Sequence, residues 1–378
     1  MDSPIRVLHV VVNMNRGGAE TFIMNLYRNI DRSRIQFDFL TCKPGVFDRE
    51  IKEMGGIIYR IPYLSDVGPF KYQKRLKSFF LKHPEYKILH SHLDKVSGMV
   101  CKVAERSGIP IRIAHSHNTE SEGNRVYKLY KWYLGTHIRN NATHYAACSL
   151  KAAEWLFGNS LIPANIIKNG VESQSFSFSE SRRRLVRQNL NLKEDALVIG
   201  HIGRFHLQKN HAFLIEIFAE TLRFYPNAIL LLVGDGPLRK RMERLAVRRR
   251  VKDRVLFLGV REDIPDLLQA FDLMLFPSHH EGLPVTIIEA QAAGLPCILS
   301  EHITQEVDLG IQLIHYARLS DKEEWLTKIR YFANQEFDRK ISESALAVKG
   351  FDIRLTAEWM NEFYIHLLYP SERRDGVG

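Results

Sequence analysis

"FDLMLFPSHHEGLPVTIIEAQAAGLPCILS", residues 271–300, reads as a strand, a loop, a helix and a second strand. "FDLMLFPS" is apolar and short, and "HHEGL" is the loop leaving its carboxyl end. Pro284 suits the first helical position, where its missing N–H is no loss. "PCILS" follows as the next strand. The same alternation runs along the whole chain. "RVLHVVV" precedes a helix whose apolar positions Ala19, Phe22, Ile23, Leu26 and Ile30 keep helical spacing. "FDFLT", "IIYRI", "YKILHS", "IRIAHS" and "HYAACS" continue the series, with helices near 47–54 and between the later runs. After "IIKNGVE" the polar "SQSFSFSES" reads as a linker. A second series then opens with "ALVIGHIG" and a helix from about 209, and continues through "AILLLVG", "RVLFLGV", "FDLMLFP" and "PCILS". This is the rhythm of an α/β protein with doubly wound parallel sheets. It predicts two Rossmann-like domains, residues 1–172 and 173–352, facing each other across a cleft. The tail from 320 to 369 reads as wholly helical, and a C-terminal helix at about 353–370 is expected to pack back across the first domain.

The 378 residues allow two cores of ordinary size, and 45% hydrophobic with 25% charged residues is a soluble globular composition. No apolar run reaches the roughly 18 residues of a spanning helix, and "IRVLHVVV" is too short for a secretory signal. Cys42, Cys101, Cys148 and Cys297 form no C-x-x-C pair, so a reducing cytoplasm is expected. The net charge of +10 asks for an acidic partner. "RKRMERLAVRRRVKDR" (239–254), with nine basic and two acidic residues, reads as a solvated helix face and its following turn. "FKYQKRLKSFFLK" (70–82) and "RVYKLYKWYLGTHIR" (125–139) mix cations with aromatics, as membrane-docking helices do, although core-and-rim packing produces the same mixture. No helix-turn-helix, zinc finger or aromatic RNA-binding signature accompanies the charge, so nucleic acid is not expected.

In parallel α/β sheets ligands bind outside the carboxyl ends of the strands. Amides near Leu283, Val285 and Thr286 would open the helix after "HHEGL" as an anion site. Glu281 lies in the loop, and Glu289 about 7 or 8 Å along the helix at 1.5 Å per residue. That is about the reach from a diphosphate to a ribose, whose two hydroxyls one carboxylate can accept. "GRFHLQKN" leaves another strand and sets Arg204 and Lys209 five apart, two cations able to converge on one anion. With no Asp-x-Asp pair in the chain, these cations are the expected means of stabilising a diphosphate leaving group, without a metal. "NMNRGGAE" puts Gly17 and Gly18 at the start of the first helix, where a backbone can approach a phosphate or sugar. The triplets "HSH" at 90–92 and 115–117 end two neighbouring strands. Lacking a thiol or carboxylate set they are assigned no metal, and they are expected to donate hydrogen bonds to a polar ligand or to lie buried and satisfied.

"EGLPVTIIE" resembles the E-x7-E motif of the retaining GT-B glycosyltransferases of family 4. "GRFHLQK" resembles that family's Arg and Lys diphosphate clamp, and "NRGGAE" its first-domain glycine loop. "LLLVGDGPLRKRM", "VLFLGVREDIPDLL" and "IKNGVE" stand where the family has comparable segments, so the resemblance covers nearly the whole chain. "MNRGGAET", "IRIAHSHNT" and "GRFHLQKNH" are most similar to the bacterial exopolysaccharide and capsule branch. The resemblance implies GT-B architecture and metal-independent transfer of a hexose from a nucleotide sugar, a UDP-sugar by branch, with retention. The implied acceptor is a lipid-linked or growing saccharide at the inner face of the plasma membrane. It implies that Glu281 contacts the donor sugar, Glu289 the ribose, and Arg204 and Lys209 the diphosphate. Gly203 belongs to the clamp loop, Gly282, Leu283 and Pro284 to the sugar and phosphate loop, and Gly18 would sit by the diphosphate. The base would rest near Val260 and Arg261. The family's sugar-facing histidine corresponds to His117, with His115 open, and His92 and Asn118 as further sugar or acceptor contacts. A nucleotide-sugar epimerase, a phosphorylase or a non-catalytic nucleotide-sugar-binding regulator shares this fold and clamp.

Overall fold

The computed structural model describes residues 3–121, 125–158, 163–335 and 337–370. The chain divides into two compact units, Met1–Gly170 with Gly350–Gly378, and Val171–Lys349.

The first unit is built on a parallel sheet of β1 (Ile5–Val10), β2 (Ile35–Thr41), β3 (Ile58–Arg60), β4 (Ile88–Ser91), β5 (Ile111–Ser116), β6 (His144–Ala147) and β7 (Asn165–Ile166), in the order β3-β2-β1-β4-β5-β6-β7. Its strands are nearly continuous apolar runs because both faces are covered. Val7, Phe37, Phe39, Ile88 and Ile113 pack on one face against helices Gly18–Asn29 and Ile353–Leu368. Leu8, Val10, Leu40 and Leu89 pack on the other against helices Pro69–Lys82 and Ser97–Arg106. Helix Pro69–Lys82 buries Tyr72, Leu76 and Phe80, one face at four-residue spacing, and starts on a proline. Helix Ile353–Leu368, capped by Asp352, brings Ile353, Ala357, Met360 and Tyr364 into the same core as β1 and β2.

The second unit holds β8 (Val198–Ile202), β9 (Ile229–Val233), β10 (Val255–Gly259), β11 (Leu273–Phe276), β12 (Cys297–Ser300) and β13 (Ile314–Ala317), parallel in the order β10-β9-β8-β11-β12-β13. Helices His211–Thr221, Arg239–Arg248 and Lys322–Ala333 supply Phe213, Phe218, Met242 and Trp325 to its core. The strand order reverses between β1 and β4 in the first sheet and between β8 and β11 in the second. Neighbouring loops diverge there, which makes these the points where doubly wound sheets bind ligands. Among the described residues no helix is long and apolar enough to cross a membrane.

Four sequence expectations need correction. The stretch after "IIKNGVE" is not a free linker: Ser173–Phe176 is a helical turn with Phe176 buried, and Ser179 caps an unforeseen helix, Glu180–Asn189. Repeated serines hid two structural roles, capping and packing. The tail from 320 is not wholly helical, because helix Lys322–Ala333 ends and residues 337–342, with Arg339 among them, are in no helix before helix Glu343–Val348. The Arg339 guanidinium donates to the carbonyls of Leu268, Gln269, Phe271 and Ala293 at two helix ends, sharing Gln269 and Phe271 with Arg183. The stretch 125–139 breaks at His137 into helices Arg125–Thr136 and Ile138–Asn141. Pro284 is the cap of helix Val285–Ala292 rather than its first residue, its ψ of 106° being extended.

Candidate active site

In the second unit the clamp and carboxylate loops leave β8 and β11, adjacent strands at the reversal point. Two hydrogen bonds stitch them: His279 N–H donates to Gln208 O at 2.8 Å, and Gln208 Nε2 to His280 O at 2.8 Å. Lys209 Nζ thereby reaches Glu281 Oε1 at 2.7 Å, with side chains only 17% and 10% exposed. The ammonium also lies 4.7 Å from the centre of the Phe276 ring. Arg204 is exposed on the same loop and has no carboxylate partner among the described residues. The fold thus brings Lys209 to Glu281 and leaves Arg204 turned outward.

Backbone closeness makes this loop possible. A Cβ on Gly234, which has φ +131°, would stand 2.2 Å from Gly203 O. The turn after β9 is pressed onto the clamp loop, with Phe205 N–H donating to Asp235 O at 3.0 Å and Leu238 N–H to Phe205 O at 3.1 Å. Gly203 is itself hemmed in, since an added Cβ would meet His201 Nε2 at 2.9 Å. The buried His201 hydrogen-bonds the Leu275 carbonyl, and His211 stacks on Phe205 at 4.1 Å. Burial holds both imidazoles neutral, pushing His201 down to about 3 and His211 to about 2. These supports were not singled out from sequence, and only the glycines of "VGDGP" could have signalled them.

Gly282, Leu283 and Pro284 are buried beneath the loop. Glu289, half-buried on the helix, has no hydrogen-bond partner among the described residues, and burial pushes its carboxyl up to about 7. A carboxylate with no partner among the described residues is a poor structural element and a ready acceptor for two hydroxyls. Val260 is exposed directly after β10, while Arg261 is engaged by Asp263 at 2.5 Å.

In the first unit Gly17 caps helix Gly18–Asn29. A Cβ there would run into the Glu20 carboxylate at 2.2 Å, whereas one on Gly18 would meet nothing within 4 Å. The Glu20 carboxylate is the far end of a flexible side chain and can move aside, so packing within the described residues requires a glycine at neither position.

The carboxyl ends of β1, β4 and β5 carry a cluster of five histidines, of which sequence reasoning missed His9. His9 Nδ1 lies 3.0 Å from His92 Nε2, and His92 Nδ1 lies 2.8 Å from His117 Nε2. Beside them His90 Nε2 is 3.0 Å from His115 Nδ1, and His90 Nδ1 is 2.8 Å from the Tyr364 hydroxyl. Tyr364 thus ties the C-terminal helix to the cluster. Burial keeps all five rings neutral, holding His9 and His117 at about 3 and the others well below the usual range. The nitrogens of His9, His90 and His92, and those of His92, His115 and His117, lie close enough together for a three-imidazole metal site. The stacking of His90 on His92 at 4.3 Å and of His115 on His117 at 4.1 Å works against convergence, because in-plane lone pairs of stacked rings run parallel. His115 is fully enclosed and His117 partly exposed. Both nitrogens of His92 face other imidazoles. Asn118 Nδ2 donates to Asp94 Oδ2 at 2.7 Å, and Asp94 Oδ1 accepts from the His117 amide at 3.3 Å.

Comparison with known proteins matches this arrangement to one family. Residues 16–175 match the model described as Glycosyltransferase Family 4, and residues 182–311 that described as Glycosyl transferases group 1. The chain is 37% identical over 356 residues to EpsF of Bacillus subtilis (strain 168), covering 92% of this chain and 93% of that one. The chain belongs to this glycosyltransferase family. Another family 4 relative is the Escherichia coli UDP-Gal:alpha-D-GlcNAc-diphosphoundecaprenol alpha-1,3-galactosyltransferase, 27% identical over 314 residues, covering 79% of this chain and 80% of that one. The GT-B fold of family 4 is matched by the crystal structure of HepE from Anabaena in complex with UDP and glucose. Its TM-score is 0.79 at 20% identity, over 96% of this chain and 99% of that one.

Proposed function

We propose that the protein transfers a hexose from a UDP-sugar, with retention and without a metal, to a lipid-linked or growing saccharide acceptor in exopolysaccharide or capsule synthesis. The observation that carries this reading is the buried Lys209–Glu281 pair, with the unpartnered Glu289 on the next helix. A carboxylate for sugar hydroxyls, a cation for the diphosphate and a second carboxylate for the ribose are the groups that a nucleotide sugar calls for. Arg204 joins Lys209 on the diphosphate, its exposure leaving it available to an arriving anion. Gly282 and Leu283 supply amides, and Val260 and Arg261 border the base. Gly18, which nothing among the described residues requires to be glycine, is assigned to the diphosphate, and His117 to the sugar, by their places in the family's motifs. UDP as the nucleotide is supported by the ligands bound in HepE, and a diphospholipid acceptor by the name of the Escherichia coli relative.

In the front-face reaction the leaving phosphate takes the acceptor's proton while Lys209 and Arg204 offset its growing charge. Glu281 orients the sugar and does not deprotonate. The second unit is the donor-binding domain in this reading, and the first the acceptor-binding domain. Helix Pro69–Lys82 has Phe70, Lys71, Lys74, Arg75, Lys77, Leu81 and Lys82 on its exposed side and no acidic residue. Helix Arg125–Thr136 exposes Leu129, Trp132 and Tyr133, and both pack on helix Ser97–Arg106. That surface suits peripheral docking on an anionic cytoplasmic leaflet.

Thermal stability of the protein against UDP, GDP, ADP and their sugars, with and without EDTA, tests the donor reading. A ligand at about 100 times its Kd adds roughly 2.7 kcal/mol. Stabilisation by a UDP-sugar that EDTA leaves unchanged and Glu289→Ala removes is expected. No response to any nucleotide sinks the proposal. An epimerase would leave product sugar on UDP, and a regulator would bind without turnover.

A further inference from the structure

Three histidines of this cluster form a single file that begins in the core and ends at the carboxyl edge of the first sheet. His9 sits on β1, fully enclosed, with the Phe37 ring centre 4.1 Å from its own. His92 follows β4 and His117 follows β5, so the three rings span three adjacent strands. The contacts are His9 Nδ1 to His92 Nε2 and His92 Nδ1 to His117 Nε2, at 3.0 and 2.8 Å. The terminal nitrogens, His9 Nε2 and His117 Nδ1, are buried with no hydrogen-bond partner among the described residues.

Counting hydrogens restricts this file severely. Burial holds each ring neutral, so each carries one N–H and one lone pair. Each N···N contact needs one hydrogen and one lone pair. His92, engaged at both nitrogens, must donate at one and accept at the other. Only two arrangements satisfy all three rings. In one, every ring carries its hydrogen on Nε2: His117 donates to His92, His92 to His9, and His9 Nε2–H is left in the core without an acceptor. In the other, every ring carries it on Nδ1: His9 donates to His92, His92 to His117, and His117 Nδ1–H is left at the carboxyl edge of the sheet.

An orphaned N–H deep in a core is rarer and harder to relieve than an under-used acceptor. His117 Nδ1 is buried as His9 Nε2 is, but the His117 ring is partly exposed at the carboxyl edge of the sheet, where an arriving oxygen can relieve it, whereas His9 is fully enclosed. We infer that His9 and His92 are positioning residues that lock His117 as the Nδ1–H tautomer, so that it meets its ligand as a fixed neutral hydrogen-bond donor to oxygen and never as a base. This rests on the proposed function only for the ligand's identity, an oxygen of the nucleotide sugar. It adds a device that starts 108 positions earlier in the chain, in a residue that touches no ligand.

The test is spectroscopic. Full-length protein labelled with 15N at histidine gives long-range ring proton–nitrogen patterns that distinguish the two tautomers, and His9→Asn and His117→Asn variants assign the signals. The expected result is Nδ1–H for His9, His92 and His117 together, although free neutral histidine prefers Nε2–H. Nε2–H on the three rings, or averaging at His117, overturns the inference. His9→Asn keeps a donor near the Nδ1 position and should leave His117 locked, whereas His9→Phe should release it into a mixture. A His117 still locked in His9→Phe also overturns it. If that variant fails to fold, the unmodified protein and His9→Asn still decide. Adding a UDP-hexose should move the His117 Nδ1 signal. A locked tautomer that no nucleotide sugar disturbs leaves this inference standing and removes His117 from the donor site.

Discussion

Replacing Glu289 with glutamine should make the ligand-free protein more stable and the enzyme worse. Burial raises the Glu289 carboxyl from 4.5 to about 7. Between those values the folded state holds a proton that the unfolded chain has released, so folding becomes less favourable as pH rises. The sign is opposite to that of a salt-bridged carboxylate. The cost begins near pH 4.5, grows through the window and is complete above about 7. At 1.36 kcal/mol per pH unit the 2.5-unit rise corresponds to about 3 kcal/mol, and partial exposure reduces it to about 2. Glutamine keeps the shape without the ionisation. Urea denaturation of both proteins at pH 5, 6, 7 and 8 should show near-equal stability at pH 5 and a growing advantage for Glu289→Gln, reaching about 2–3 kcal/mol at pH 8. The same site predicts the ligand's pH dependence. Two ribose hydroxyls donating to the carboxylate favour its ionised form, so UDP affinity should fall up to about tenfold per pH unit below 7 and lose this slope in Glu289→Gln. A stability difference between the two proteins that stays constant from pH 5 to 8 refutes the argument.

Glu281→Gln should weaken UDP-hexose binding and lower turnover while leaving UDP alone bound as tightly or more so, because Lys209 loses the carboxylate it is held to. Calorimetry with both ligands checks this, and full turnover in the variant contradicts the orienting role. Gly234→Ala should destabilise the second unit by about 2–4 kcal/mol, since the methyl meets Gly203 O at a positive φ, and urea melts of the variant report it. Arg339→Met leaves the carbonyls of Leu268 and Ala293 without their guanidinium donor and those of Gln269 and Phe271 to Arg183 alone, and should cost about 2 kcal/mol in the same assay, with no change in UDP affinity at low temperature. Sedimentation with anionic vesicles should show salt-sensitive binding that charge reversal at Lys74, Arg75 and Lys77 abolishes. Indifference to both rules out the docking surface.

The parallel sheets were legible because local chemistry writes them. Strands buried on both faces must be continuous apolar runs, and helices covering them must repeat at 3.6 residues. Positions after the strands of the second unit were legible for the same reason: topology puts loop residues of adjacent strands together, and charged residues there have few structural uses. Short polar stretches were misread where one residue's partner lies far along the chain. Phe176, Ser179 and Arg339 look like linker or surface in sequence, yet each answers backbone or core groups tens of residues away.

The sequence by itself determined which residues could bind a phosphate and a sugar, because side-chain type and strand-end position suffice for that. Only the tertiary structure decided their states. It set Lys209 on Glu281 and left Arg204 outside, since two loops had to be stitched through Gln208 before either distance existed. It raised the Glu289 carboxyl by surrounding it with a core that no local window describes. It brought His9 against His92, because the pairing of β1 with β4 and of β4 with β5, and the burial that keeps imidazoles neutral, are properties of the folded sheet.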